Sequence, residues 1–510
     1  MMQDQHASAL AQEQSKHLQK SLGRLDILLL VVSAVISIEV LGQVSGFGVE
    51  TFTWTLVMAI TFLIPYGLIF AEVGGTFTDE GGIYVWTKLA FGRVAAAVAA
   101  LLTWVTQPVW VGGAMSFVAV ETWSTYVSPV AAGSVSDYVF KLAFIWITVG
   151  SAVISLKRGK WLPGLGAILK IAFLAFFLIV TSIYGFQHGF NRLSLSSFSP
   201  TMAGFLGVTP LLLFSFLGFE SGNSAAGEMK NPGRDVPISV ARSAIIAAAS
   251  YLLPILAILL VVPLDKITGI NGLFGAVSTV YTIFGSAQHT MLGVSAVVFC
   301  FVLVSQGGAW MIISDRMQAM AAADGSFFGG FFGRFHPKLG TPVRVNALSG
   351  IVATVFMLAA MQLTGSSAAL FQVVLTIAIS TYLLSYLLAI PAAVRLRTKF
   401  PTMPRPFKVP VSDLGFRILG VICFAWVLLG SWVAIFPGTM EATLGIDYNF
   451  KNIWGVSQLT FELFTVGTLL CILALGLIGY AFGGRVRRGE VITDGELPTV
   501  GLAEMTSETN

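Results

Sequence analysis

The sequence predicts an all-α integral membrane protein with about 12 transmembrane helices, by the ruler of about 20 apolar residues per bilayer crossing. Its 510 residues are 55% hydrophobic and only 11% charged, with a mean hydropathy of +0.83, where soluble domains carry roughly 25% charged residues. Apolar stretches recur at 26–46, 52–74, 95–122, 138–156, 163–185, 203–226, 240–262, 290–313, 346–364, 367–394, 413–436 and 457–482. The loops between them differ consistently in charge, and that difference orients the chain.

Positive residues are retained on the cytoplasmic side of short loops. With both termini placed in the cytoplasm, only Lys141, Arg192, Lys266 and Lys451 of the 29 Lys and Arg residues fall in or beside outward segments, while Lys170 lies inside a helix. The net charge of +4 is then a topology signal and gives no case for a nucleic-acid partner. The polar start, residues 1–25, has no short apolar region or small-residue cleavage site, so no removable signal peptide is expected. The other tail, 483–510, combines RVRR with a Ser, Thr and Glu-rich end and reads as disordered.

Within the membrane, the chain divides into 26–185 (helices 1–5), 203–394 (helices 6–10) and an added pair at 413–482. Helix 1 reads VVSAVISIEVLGQVSGFG and helix 6 reads FSFLGFESGNSAAG. Each runs from apolar residues to an acid and then to small residues. A spacing of five helices between such segments is what a 5+5 inverted-repeat core with discontinuous helices 1 and 6 requires, and substrates bind at such breaks. Glycine and serine also promote ordinary helix packing, so the cluster, and not any single glycine, marks the break.

Ionised side chains in a bilayer are functional hypotheses by default. Glu39 and Glu220 head the list: either can accept a substrate ammonium or carry a proton. Glu72 and Glu121 sit near helix ends and read as solvated or interfacial carboxylates. Lys170 lies seven residues past Pro163, about 10 Å along a helix, which is deep for a side chain reaching back to the interface. It can stand where a bound cation would, holding helix 5 against helices 1 and 8. Trp123, Trp454 and Tyr138 read as interfacial belt residues, whereas Trp104, Trp110, Phe214, Phe216 and Trp310 lie mid-helix, where rings can cover methylenes or a cation.

Several chemistries are excluded. Cys300, Cys423 and Cys471 fall within helices, and no disulfide framework is implied. His6, His17, His188, His289 and His336 occupy tails, loops and helix ends, with no metal-ligand spacing and no histidine relay. No phosphate-binding glycine loop followed by Lys and Ser or Thr is present. Neither a metal nor a cofactor is expected, nor an enzyme activity.

The stretch GFESGNSAAGEMKNPGRDVP, with Glu228, Lys230, Asn231, Pro232 and Arg234, resembles the amino acid, polyamine and organocation transporter superfamily. The likeness continues at Gly81–Gly92 (GGIYVWTKLAFG), Ala321–Gly325 (AAADG), Gly340–Val343 (GTPV) and in PAAVRLRTKFPTMPRPFKVP. This ordered set covers most of residues 25 to 410. Within that superfamily the chain looks most like the bacterial arginine/agmatine and glutamate/GABA exchangers, and LFSFLGFES resembles helix 6 of the arginine/agmatine antiporters. That resemblance implies that Phe214 covers substrate, Glu220 takes part in proton-sensitive gating, Trp310 is a pocket tryptophan, and Thr103 and Gln107 face substrate. It also implies that Lys170 replaces a sodium ion.

Family members commonly carry a Gly-Ser-Gly motif in helix 1 that binds a carboxylate through backbone N–H groups. Here the sequence is SAVISIEV, and Glu39 would repel that carboxylate.

The function expected is a secondary transporter in the cytoplasmic membrane, an exchanger or proton-coupled symporter of amino acids or related amines. A polyamine or organic-cation importer of the same fold is the alternative, and a channel or sensor is a more distant one. Ser33, Ser37, Glu39, Thr103, Gln107, Phe214, Ser215, Leu217, Gly218 and Trp310 are the expected substrate contacts, with Glu220 and Lys170 handling proton or ion coupling. The partners expected are the small solute and the lipid bilayer. Self-association is open, and the loop from Ser124 to Asp137 has no cysteine for a disulfide-linked heavy chain.

Overall fold

A computed structural model describes residues 8–16, 22–154, 161–263, 272–362 and 367–488. His6, His17, Lys266 and the chain from 489 onward lie outside these residues. Twelve helices among those described are long and apolar enough to cross a membrane. Spans 1 to 5 are Arg24–Gly46, Glu50–Thr76, Arg93–Tyr126, Val135–Val153 and Trp161–His188. Spans 6 to 10 are Met202–Glu228, Pro232–Val261, Gln288–Ala323, Val343–Gln362 and Ser367–Lys399, and spans 11 and 12 are Asp413–Ile435 and Gln458–Phe482.

Two boundaries depart from the hydropathy reading for a physical reason. Span 8 continues through Asp315 and Arg316 to Ala323, past its expected end at 313. Both charges are buried and partnered, Asp315 by Trp104, Asn346 and Ser349, and Arg316 by Glu228. A hydropathy window stops at such charges, whereas a helix does not. Span 7 begins at Pro232, ahead of the expected 240, because proline suits a first helical turn.

Spans 1 and 6 are both interrupted. In span 1 the helix Arg24–Val35 gives way to extended Ile36, with ψ 102°, and to Ser37. A tight 3₁₀ turn, Ile38–Val40, and a second helix, Leu41–Gly46, follow. In span 6 the helix ends at Phe216, Leu217 is extended, and Gly218 adopts φ 103° before tight turns from Phe219 to Glu228. That φ favours glycine, and space demands it too: a Cβ at Gly218 would lie 2.6 Å from Trp310 and 2.7 Å from the Tyr382 hydroxyl. Each break frees backbone groups that hydrocarbon cannot satisfy.

Besides five-residue helices at Thr439–Thr443, Phe450–Trp454 and Gly484–Arg488, the last of them in the stretch read as a disordered tail, three helices of eight or nine residues were not expected from hydropathy. Ile83–Phe91 lies between spans 2 and 3, and Gly272–Val280 precedes span 8. The latter packs against the second half of span 1 so closely that a Cβ at Gly42 would overlap the Leu273 backbone. The third, Ala9–Lys16, lies in the stretch read as a polar tail and docks on the end of span 8, where the Ser8 N–H donates to Asp324 at 3.0 Å.

Candidate functional site

The freed groups of span 1 meet side chains from spans 5, 7 and 8. Lys170 is fully buried, and its Nζ donates to the Ser33 carbonyl at 2.7 Å, to the Ile36 carbonyl and to Gln306 Oε1 at 2.7 Å. The Ser37 N–H donates to the Tyr251 hydroxyl at 2.8 Å. Gln306 turns its Nε2 to Glu39 Oε1 at 2.6 Å and to Ser37 Oγ at 3.1 Å. One amide therefore joins the buried ammonium to the buried carboxyl. The other Glu39 oxygen, Oε2, is buried and has no hydrogen-bond partner among the described residues; the same holds for both amide atoms of Gln43, four positions on. An unmatched polar atom at this depth costs about 1–3 kcal/mol, more if charged.

The break in span 6 is held by three tyrosines. The Gly218 N–H donates to the Tyr66 hydroxyl at 2.8 Å. Tyr66 and Tyr386 both donate to Glu220, one to each carboxylate oxygen, and the Tyr382 and Tyr386 hydroxyls lie 3.2 Å apart. Beside them Tyr382 packs edge-on against Phe214 and against Trp310, each with ring centroids 5.8 Å apart. Trp110 tilts over Phe214 at 5.1 Å, and its indole N–H has no partner among the described residues. Gln306 and Trp310 are one turn apart on span 8 and so share a face. The acid-bearing break and the aromatic cluster thus meet along that span.

The amino acid permease profile matches residues 22–457 of this molecule. The chain belongs to that family. The probable agmatine/putrescine antiporter of Lactococcus lactis is 29% identical over 76% of this chain and 82% of its own length. An uncharacterized transporter of Legionella pneumophila is also 29% identical, over 80% of this chain and 88% of its own. The branched-chain amino acid permease of Bacillus subtilis is 25% identical over 85% and 93%. The superfamily resemblance read from the Glu228–Arg234 motif is thus established.

Against that family background, the sequence-predicted residues separate into groups. Glu39, Ser37 and Lys170 converge at the first break, and Phe214, Leu217, Gly218, Glu220 and Trp310 at the second. Ser33 serves through its carbonyl, its hydroxyl lying 3.0 Å from that of Ser305. Thr103 and Ser215 donate to the carbonyls of Ala99 and Leu211 one turn back on their own helices. Gln107 is buried on span 3. Trp104 is not in the aromatic cluster; its indole N–H donates to Asp315 and Ser349. Phe216 is buried against Tyr251. Gln306, Gln43, Tyr66, Tyr251, Tyr382 and Tyr386 were not foreseen.

Buried ion pairs gather near the ends of spans 2, 6, 8 and 10. Glu72, expected as an interfacial carboxylate, is 1% exposed. It bonds Arg397 at 3.0 Å, Arg405 at 3.1 Å and the Val409 N–H at 2.8 Å, partners more than 300 positions away. Arg316 reaches Glu228 at 2.8 Å and Glu80 at 3.6 Å, and donates to the Gly340 carbonyl at 2.9 Å. Leu22 bridges Glu228 and Lys230 through backbone bonds of 2.9 and 3.2 Å.

One guanidinium thus faces two carboxylates. Burial, and then the charge of Glu228, push Glu80 up to about 8 against the opposing pull of Arg316. A folded-state value above the unfolded one makes Glu80 favour the fold at low pH, with that contribution lost as pH rises through about 8. The unfolding temperature of the purified protein is therefore expected to fall between pH 5 and about 8 and to level off by pH 9, and Glu80→Gln is expected to flatten the fall. An equally steep decline in the variant would contradict this assignment.

Proposed function

We propose that this permease is a secondary transporter of organic amines, by exchange or proton coupling, whose substrate presents a protonated amine to the break in span 1. The observation that carries the reading is Glu39 Oε2, buried and unpartnered beside freed backbone. A carboxylate there attracts an ammonium and repels the α-carboxylate of an amino acid. Gln306 holds Oε1, which fixes the direction in which Oε2 is offered. Phe214, Trp310, Tyr382 and Trp110 supply faces and edges for methylenes and for a cation. The relative from Lactococcus lactis, a probable agmatine/putrescine antiporter, is named for substrates of this kind.

Spans 1–5 and 6–10 would form the two halves of the alternating-access core, their breaks lying five spans apart, with spans 11 and 12 outside it. The excess of Lys and Arg on the terminal side supports a cytoplasmic-membrane protein with both termini inside. In that orientation, the Arg316, Glu228 and Glu80 cluster and the Leu22 bridge would be the contacts that part when the site opens inward. Glu220, clasped by Tyr66 and Tyr386 directly beside Gly218, would couple a proton or the substrate charge to movement of span 6. Lys170 would fill a cation position permanently, so no sodium ion is required.

Counterflow in liposomes tests the proposal. Vesicles loaded with putrescine, with or without a pH gradient, are expected to accumulate labelled putrescine faster than leucine or aspartate. Flux confined to zwitterionic or anionic amino acids would overturn the amine assignment.

A further inference from the structure

A cavity of about 290 Å³ opens between spans 6, 10 and 11 and the loop joining spans 11 and 12. Its walls include Phe47, Glu441, Asp447, Tyr448 and Trp454. Glu441 is 4% exposed, and its Oε2 is buried with no hydrogen-bond partner among the described residues. Phe47 and Asp447 are exposed members of the same wall. No lysine or arginine is among the described residues that line it. The cavity therefore combines an unmatched buried carboxyl, a second acid and aromatic walls, without an intrinsic counter-ion.

The wall is built to hold its shape. Gly438 turns with φ 85° directly over the Tyr448 ring, where a Cβ would lie 2.8 Å from that ring. The Trp454 indole donates to the Tyr448 hydroxyl at 2.7 Å and packs on Phe461 with centroids 4.6 Å apart. Two carboxylates fall well short of the 6–8 oxygen ligands a calcium ion takes, whereas a carboxylate beside aromatic rings suits an organic ammonium. The inner wall includes Leu211 and Ile379. Each stands three residues, and so about one helical turn, from Phe214 and Tyr382 of the central cluster.

We infer that this cavity is a second, outer ammonium site, where an organic amine is captured by Glu441 and Asp447 before it descends along spans 6 and 10. The inference rests on the amine reading proposed above and adds a site that reading does not need. An outer site of this kind raises the occupancy of the entrance at low substrate and leaves the maximal rate to the central site.

Equilibrium binding of labelled putrescine to the purified full-length protein, paired with uptake in liposomes, tests it. Wild type is expected to bind two putrescines per chain and Glu441→Gln one, with the KM for uptake raised about tenfold and the maximal rate kept. Asp447→Asn changes an exposed side chain that folding does not need, and is expected to raise KM in the same direction. One site in the wild type, lost in Glu39→Gln and untouched by Glu441→Gln and Asp447→Asn, would overturn the outer site and leave the amine transporter standing. No putrescine bound by wild type would overturn both.

Discussion

Glu39→Gln is expected to lower putrescine transport by roughly 30- to 4,000-fold, the range that corresponds to losing one partner of a desolvated charge pair at 2–5 kcal/mol. The substitution keeps the shape of the side chain and its contact with Gln306, so the loss would come from charge. Gln306 donates to Glu39 Oε1 from its amide nitrogen, and a glutamine amide oxygen can accept that bond. Folding should therefore survive, which purification as a single monodisperse species would verify. A neutral amino acid, if carried at all, should be affected less than a diamine. Equal loss for charged and neutral solutes would place Glu39 in the scaffold and not in recognition.

Lys170→Met is expected to have the largest structural effect. The ammonium satisfies two carbonyls freed by the break in span 1 together with Gln306 Oε1. Methionine of similar length would fill the volume and leave all three acceptors unmatched, at about 1–3 kcal/mol each. Set against a net stability of about 5–15 kcal/mol for a typical protein, such a loss is severe. Glu39 would also lose the buried cation to which Gln306 links it. The expected result is a sharp fall in unfolding temperature in detergent, with transport lost in parallel. Wild-type thermal stability in the variant would show that the span 1 break does not depend on this side chain.

Much of this was legible in the sequence because the bilayer imposes simple rules. All twelve spans follow from apolar length, since backbone in lipid has few ways to satisfy itself. The two interruptions follow from Glu39 and Glu220 set among glycine and serine, and Phe214 and Trp310 were identified by position and by family likeness. What the sequence concealed are the partners. Tyr66 and Tyr386 clasp one carboxylate from positions 320 residues apart, and a buried tyrosine in an apolar helix looks like any packed aromatic until its hydroxyl is placed. Gln306 carries no periodic signal, yet it connects Lys170 to Glu39.

Burial was also hard to read at helix ends. Glu72 lies near the end of span 2, and only the return of Arg397 and Arg405 from the far end of the chain removes it from water. Asp315 sits beside Arg316, and charge within an apolar run was read as the end of a span. Thr103 and Ser215 illustrate the reverse case: their hydroxyls bond the preceding turn, an option open to any serine or threonine in a helix.

The most direct measurement is a structure of the protein with putrescine bound. The ammonium is expected within hydrogen-bond reach of Glu39 Oε2 at the break in span 1, with the methylenes against Phe214 and Trp310. Putrescine seated away from both interruptions, with Glu39 Oε2 still unpartnered, would contradict the proposed transport site.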